Sequence, residues 1–504
     1  MYDKTGIVDF AKHLLKFDIE IISTGGTYKI LKENRIEVKS VEEVTGFPEV
    51  LGGRVKTLHP LIFAGILCDR ENTIHAEELT RHNILPFDMI VVNLYPFEKT
   101  IENNSVNVSE AVEQIDIGGV SLIKAAAKNF KDVCILTNTN QYKEFAELLL
   151  SSENKIPKSY SQNLAQKAFA LTSNYDNVIA KYFAELNHTT HQFENNTFNV
   201  SNTNSIVLRY GENPHQKAIL AKDNFDNIYE VIHGKELSYN NLLDMDAAYN
   251  LISEFEFDNP ACAIIKHGNP CGVAVSDDLL TSYQSAFSTD TLSPFGGIII
   301  SNRKIDFNTS VDIDKLFSEI ILAPGFDVEA LELLKKKKNR RLIKFNYSKD
   351  KAEFRKIAGG ILYQDKNNYE LNKDELKFVT DRKATDEEIE DMMFAFKVVK
   401  HTKSNAVVFV KDKRTLAIGG GQPSRIDSTK IAVTKAKEFN HDLKNSIAAS
   451  DAFFPFADGL IEIAKAGASC IIQPGGSVRD NEIIKAADDY NLAMAFTGIR
   501  HFKH

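Results

Sequence analysis

The sequence predicts an α/β protein whose first half carries a mostly parallel sheet. Three observations lead there. Apolar runs too short for helices, such as Asp88 to Val92 and Val133 to Leu136, alternate with segments of helical period. Turn residues follow such runs at once: Ser23-Thr24-Gly25-Gly26-Thr27 after Ile19 to Ile22, and Asn93-Leu94-Tyr95-Pro96-Phe97 after Asp88 to Val92. A length of 504 residues is enough for two or more domains, each with its own core.

The elements follow in order. Ile7, Phe10, Ala11, Leu14 and Leu15 have helical spacing, Ile19 to Ile22 reads as a strand, and Tyr28 to Glu33 reads as a helix. Strand, Gly-rich turn and helix start together make an anion-binding device, because backbone N–H groups converge where the helix dipole is positive. Gly52-Gly53-Arg54-Val55-Lys56-Thr57-Leu58-His59-Pro60 reads as a cationic loop suited to an anionic substrate. Helices are expected around Glu110 to Ile115, over Ser121 to Lys128 and over Gln141 to Leu150, with Asp116-Ile117-Gly118-Gly119 between the first two. Ligands of such sheets sit beyond the carboxyl ends of strands, so Ser23 to Thr27 and Asn93 to Phe97 can share one rim.

His188 to Ser205, rich in Asn and Thr, reads as a linker between domains 1–187 and 206–504. In the second domain the apolar run from Ala261 stops at Lys266-His267, and Gly268, Asn269, Pro270 and Gly272 predict a tight turn there. A cation and an imidazole are thus placed where a rigid strand meets an open loop. Arg209-Tyr210, followed by turn residues, suits a flat heterocycle bearing an anionic group. Val328, Leu331 and Leu334 have helical spacing, and Lys335 to Lys338 with Arg340 and Arg341 reads as a solvated helix end.

Bulk properties exclude some classes. The net charge of −9 argues against a nucleic-acid binder held by phosphate electrostatics. Five dispersed Cys residues without a C-x-x-C pair argue against a disulfide framework and a four-Cys zinc site, and point to a reducing cytoplasm. No apolar run approaches a membrane span, and the N-terminus lacks signal-peptide character.

Ordered motifs then carry a resemblance. Asp3-Lys4-Thr5-Gly6, Ser23 to Thr27, Gly53 to Pro60, Asn93 to Phe97, Asp116 to Gly119 and Ala125-Ala126-Ala127-Lys128-Asn129 resemble the inosine monophosphate cyclohydrolase half of the bifunctional purine biosynthesis family. Leu208 to Gln216, Lys266-His267, Ser293-Pro294-Phe295-Gly296-Gly297, Leu322 to Gly325, Ser404 to Val407, Gly419 to Arg425, Ser450 to Phe456, Gln473 to Ser477 and Arg500 to His504 resemble its transformylase half, in the same order. The resemblance implies a methylglyoxal-synthase-like, Rossmann-like domain followed by two cytidine-deaminase-like α/β subdomains, with their boundary at roughly 370–400.

It also implies roles. In ring closure a carboxamide nitrogen attacks a formamido carbonyl and water is lost, so Lys56 and Lys128 would stabilise the oxyanion, Tyr95 would donate a proton and Asp116 would accept one. Lys4, Thr24, Gly25, Gly26, Thr27, Arg54, Thr57 and Asn93 would hold the nucleotide. In formyl transfer the 5-amino group of 5-aminoimidazole-4-carboxamide ribonucleotide attacks 10-formyltetrahydrofolate. His267 would be the base, Lys266 the oxyanion cation, and Asn405 would orient His267 or the formyl group. Arg209, Tyr210, Arg425, Phe453 and His504 would contact the nucleotide, and Phe295, Gly296, Glu319, Phe456, Asp458 and Gln473 the folate. Glu319 stands where some members carry Asp.

Zinc deaminases need H-x-E and P-C-x-x-C. Pro270-Cys271 is present but Ala274 replaces the second Cys, so no catalytic metal is expected. The family pattern has an apolar strand and a Ser before Asp3, and a late-assigned start is the expectation. Two other readings compete: transformylase alone, with the first half impaired, or a non-catalytic nucleotide-binding regulator. Lys56, Lys128, Lys266 and His267 together argue against the last. The resemblance further implies a cytoplasmic homodimer, with small-molecule nucleotide and folate as its substrates.

Overall fold

The computed structural model describes residues 1–102, 105–152, 155–186, 205–222, 224–348 and 352–504. The chain divides into two compact units, Met1–Thr203 and Asn204–His504. The linker expected over 188–205 lies, except for Ser205, outside the described residues.

In the first unit β1 (Ile22–Ser23) pairs parallel with β2 (Lys39–Ser40), and β3 (Met89–Val91) pairs parallel with β4 (Cys134–Leu136). The strands are parallel as expected, but they form two separate pairs. Ile66, Ile123, Ala126 and Leu136 are fully buried in the core that the helices close. The helix expected from Tyr28 begins earlier, as Gly25–Glu33. Gly25 takes φ +51, which glycine adopts without a Cβ clash, so the Gly-Gly turn is itself the first turn of the helix. The helix expected from Ser121 likewise begins earlier, as Ile117–Lys128, because Asp116 caps it: Gly119 N donates to Asp116 Oδ1 at 2.7 Å.

The second unit is built on one twelve-stranded sheet, with a duplication running through it. From its centre outward, one half reads β9 (Asn269–Val275), β8 (Ala261–Lys266), β10 (Ile298–Ser301), β11 (Ile320–Ala323), β12 (Arg341–Phe345) and β7 (Tyr229–His233). The other reads β17 (Arg414–Gly419), β16 (Val407–Lys411), β18 (Ile447–Ser450), β19 (Cys470–Gln473), β20 (Ala493–Phe496) and β15 (Lys377–Phe378). Each half has an antiparallel hairpin, an antiparallel third strand, two parallel strands and an antiparallel edge. Each hairpin is preceded by a 15-residue helix with a capping box, Tyr239–Ser253 and Asp386–Lys400. The central strands are buried on both faces, which is why they read as unbroken apolar runs.

The halves join where β9 meets β17. Arg414 pairs with Ala274, Val275 N donates to Lys413 O at 3.0 Å, and Val273 N donates to Thr415 Oγ1 at 2.9 Å. Two further ribbons stand outside this sheet: β5 (Ser205–Leu208) with β6 (Ala218–Ala221), and β13 (Ala352–Ile357) with β14 (Gly360–Asp365). The change from first to second half falls between β14 and β15.

The turn expected over Gly268 to Gly272 is shorter. Only His267 and Gly268 form it, and β9 begins at Asn269. Pro270 is tolerated because it sits beside a bulge at Ile264/Ile265, and β17 pairs with β9 only further along, at Ala274. Gly272 is required by packing, since a Cβ there would lie 1.9 Å from Ala286 O.

The C-caps of the two long helices meet. His401 Nε2 lies 2.9 Å and Lys400 Nζ 2.7 Å from Glu254 Oε1. Burial alone would raise the Glu254 carboxyl, but His401 and Lys400 outweigh it and hold it at about 2. Nearby His501, bonded to Asn367 Nδ2, is pushed down by burial to about 4. A base kept neutral in the fold binds fewer protons there than in the unfolded chain. Stability should therefore be lost as pH falls from 6.5 toward about 4 through His501. Glu254, a depressed acid, should add a second loss as pH falls from 4.5 toward about 2. Burial also pushes His401 down from 6.5, so it adds to the upper step; scanning calorimetry across this range checks both steps, and His501→Phe should reduce the upper one and leave the lower one unchanged.

Candidate active sites

In the second unit the expected residues line up along one edge of the large sheet. Antiparallel neighbours bring the end of one strand beside the start of the next, so Lys266 at the end of β8 adjoins Phe295-Gly296 before β10, with Glu319 before β11. On the other side lie Asn405 before β16, Arg425 after β17, Phe453 after β18 and Gln473 at the end of β19.

Lys266 Nζ donates to Phe295 O at 2.7 Å, and the Phe295 and Phe317 rings are 5.0 Å apart. Glu319 accepts from Asn241 Nδ2 at 2.9 Å and lies 3.6 Å from Arg341 Nη1. His267 is exposed at φ +53, and Gly268 N donates to Asp244 Oδ1 at 2.6 Å. Asn269 Oδ1 accepts from Lys403 N at 3.0 Å, which fastens the hairpin to the segment leading into Asn405.

Asn405 does not orient His267 with its amide nitrogen. Its Nδ2 donates to Gln422 O and Pro423 O at 2.9 and 3.0 Å, fixing the loop before Arg425. Arg425 Nη2 donates to Asp451 Oδ1 at 3.0 Å, and Asp451 is fully buried. Burial lowers the Arg425 guanidinium while Asp451 opposes the shift. Ser404 Oγ donates to Asp451 Oδ2 at 2.6 Å, and the C-terminal segment straps across: His501 N donates to Asp451 O, and Lys503 N to Ser404 Oγ. Phe502 links Arg425 to His504, with ring contacts of 6.0 and 5.7 Å.

Other expected residues stand apart. Arg209 lies 5.3 Å over the Tyr210 ring on the loop after β5, outside the large sheet. Phe456 is half exposed under Arg479, and Asp458 turns back on Gly459 N. Gln473 is fully buried and internally bonded, accepting from Phe454 N and reaching Met494 Sδ. Strand spacing puts Gln473 about 24 Å along the edge from Lys266.

In the first unit two helix N-termini face one spot. Lys56 Nζ lies 3.8 Å from where a Gly25 Cβ would stand, Lys4 Cε 3.4 Å from that of Gly26, and Thr57 Oγ1 3.3 Å from that of Gly118. Burial first, then Lys4 and Lys56, lower the Met1 ammonium, while Asp116 raises it, so these charges converge. Two cations at one positive helix end, with the Thr57 hydroxyl at the other, suit a phosphate and a developing oxyanion. Tyr95 is exposed with its ring edge-on to Tyr2. Asn93 spends its side chain on the backbone of residues 2 and 3. Arg54 is paired with Glu113, and Thr27 is buried in the helix behind Thr24. Lys128 is at the far end of the Asp116 helix, about 18 Å along its axis.

Sequence reasoning missed Asp244, Ser404, Asp451 and Lys503. Asp451 had a signal, an acid directly after the apolar run ending at Ser450. Ser404 and Lys503 lie within the motifs of the resemblance but were given no role, and Asp244 had no signal, since its partner is distant in sequence.

Comparison with known proteins supplies the relationship. The family described as AICARFT/IMPCHase bienzyme matches residues 126–435, and the MGS-like domain matches residues 6–121. The bifunctional purine biosynthesis protein PurH of Chlorobaculum parvum is 48% identical over 100% of this chain and 97% of its own length. That of Persephonella marina is 48% identical over 100% of the chain and 98% of its own length.

Proposed function

This chain belongs to the family of bifunctional purine biosynthesis proteins, and from that premise we propose how its two units divide the chemistry. It is an AICAR transformylase and IMP cyclohydrolase, acting in the last two steps of inosine monophosphate synthesis with a formyl-folate co-substrate. We assign formyl transfer to the sheet edge at Lys266-His267. The observation that carries this is the hairpin itself: it presents a cation and an imidazole side by side, tied through Asn269 to the Asn405–Arg425 loop.

In this reading 10-formyltetrahydrofolate is the donor. His267 takes a proton from the 5-amino group as its nitrogen attacks the formyl carbon. Lys266 stabilises the oxyanion and supplies the proton to N10 as the C–N10 bond breaks. Arg425, kept charged by Asp451 and bounded by Phe502, holds the nucleotide. In the first unit Lys56 and Lys4 neutralise the nucleotide anion, Asp116 takes the carboxamide proton and Tyr95 protonates the departing hydroxyl.

We further infer a homodimer. Glu319 and Gln473 are seven strands apart, about 34 Å, too far for one folate to touch both in one protomer. A second copy can bring one protomer's Phe295–Glu319 group against the other's Phe456–Gln473 group. The β13–β14 ribbon supports this, since it exposes Phe354, Ile357, Ile361 and Leu362, and an isolated two-stranded ribbon is marginal in water. We place the protein in the cytoplasm, a reading supported by five free cysteines. Among the described residues no helix is long and apolar enough to cross a membrane.

His267→Ala and Lys266→Ala should each lower tetrahydrofolate release by about 100-fold or more, while ring closure of supplied formylated nucleotide stays at the wild-type rate. Lys56→Ala and Tyr95→Phe should do the reverse. Undiminished tetrahydrofolate release from His267→Ala overturns the base assignment. Separately, Phe354→Asp with Leu362→Asp should shift sedimentation equilibrium toward monomer and take formyl transfer, but not ring closure, with it.

A further inference from the structure

The duplication of the large sheet offers an internal comparison for the catalytic hairpin. The turn Lys266-His267-Gly268-Asn269 has a structural twin, Lys411-Asp412-Lys413-Arg414, which joins β16 to β17 as the first joins β8 to β9. Both turns carry two central residues in the left-handed region: His267 and Gly268 at φ +53 and +71, Asp412 and Lys413 at +55 and +52. Such paired positive angles define the tight turn that suits a twisted hairpin, and they are disfavoured for residues with a Cβ.

Each turn is gripped by an aspartate from the helix beneath it. Asp244 is the sixth residue after the N-cap Ser238, and Asp391 the sixth after the N-cap Thr385. Asp391 takes both turn amides, Asp412 N at 2.8 Å on Oδ2 and Lys413 N at 2.6 Å on Oδ1. Asp244 takes one, Gly268 N at 2.6 Å on Oδ1. Among the described residues the His267 amide and its ring have no hydrogen-bond partner, so the turn is held by Asp244 on the Gly268 amide and, at its exit, by Asn269 Oδ1 on Lys403 N.

The twin carries no His in its turn, yet it keeps the aspartate grip. The grip therefore belongs to the hairpin's architecture, and catalysis has been added to one copy. We propose that Asp244 is a positioning residue for formyl transfer: by holding the Gly268 N–H it fixes the left-handed turn that presents His267 beside Lys266. It acts through the backbone and exchanges no proton with the substrate. This inference rests on His267 being the transfer base.

The test measures tetrahydrofolate release and ring closure separately on the full chain. Asp244→Ala should lower kcat for formyl transfer by about 100-fold, the scale of an ångström-level misplacement, with both KM values within about twofold. Asp244→Asn keeps an acceptor oxygen for the Gly268 amide, so it should retain most of kcat and the wild-type pH profile. Asp391→Ala breaks the matching grip in the twin and should leave kcat unchanged. Ring closure by the other unit serves as the control in every variant.

A wild-type kcat in Asp244→Ala overturns the proposal. So does an Asp244→Asn as impaired as Asp244→Ala with a displaced acid limb, because Asp244 would then act by charge. An equal loss in Asp391→Ala also overturns it, by tracing the effect to the sheet as a whole. His267→Ala, assayed alongside, separates the two questions: if it keeps the wild-type rate, the base assignment fails whatever Asp244 does.

Discussion

The joint between β9 and β17 is the constraint on which the second unit depends. Two six-stranded halves, each able to end at its own hairpin, are fused edge to edge there by backbone pairing at Arg414 and Ala274 and by Thr415 bridging to Val273. Because the joint is antiparallel, the two hairpin tips point to opposite edges of the sheet. The tip carrying Lys266-His267 thereby comes beside the end of β17, and the loop after β17 is the one that supplies Arg425. A parallel joint would have put the two tips together and left Lys266 without that loop. The proposed site is thus a consequence of how the two halves are joined, since Lys266-His267 comes from one and Arg425 from the other.

The charges at the helix C-caps fit this account. Glu254 ends one long helix and His401 ends its counterpart, and they meet where the halves cross, with Lys400 completing the cluster. Buried ionic groups are a costly way to gain stability, and one left unpaired is costlier still. Their effect is to penalise any displacement of one half against the other, since a shift would strand Glu254 or Lys400 away from water. The cluster continues into the site: Lys503 Nζ donates to His401 O, and Lys503 N donates to Ser404 Oγ, which bonds the Asp451 that holds Arg425. Packing between the helix C-caps and geometry at the sheet edge are therefore coupled through a chain of part-buried hydrogen bonds.

What was legible in the sequence follows from range. The strands were legible because burial on both faces removes every polar residue, leaving runs such as Ala261 to Ile265. Lys266-His267 was legible because a charge at the end of such a run has to sit at a sheet edge. The turn was misjudged because Pro270 normally signals a break, and only a tertiary fact, the late pairing of β17 with β9, makes it admissible within a strand. Gly25-Gly26 was taken for a turn before a helix because φ +51 at Gly25 lets one residue serve as both. The resemblance implies that Asn93 and Gln473 meet ligand. In the structure the Asn93 side chain bonds the backbone of residues 2 and 3, and that of Gln473 bonds Phe454 N and Met494 Sδ. Asp244 was invisible for the converse reason, since nothing local distinguishes it from the exposed Asp246 on the same helix.

The two units solve the same problem, charge developing on an oxygen, with different scaffolds. In the proposed reading the first brings two helix N-termini and the ammonium groups of Lys4 and Lys56 to one place, so its field comes from backbone dipoles and side-chain cations. That suits a reaction whose nucleophile and electrophile are already joined in one molecule and need folding together more than bringing together. The second must assemble two separate molecules, and it does so on the most rigid feature available, the edge of a sheet whose strands are buried on both faces. Lys266 is pinned to the Phe295 carbonyl and His267 sits on a turn of fixed shape, so in the proposed reading less ordering remains to be done when both substrates arrive. The longer edge and the heavier investment in buried ion pairs in the second unit are what a bimolecular step demands.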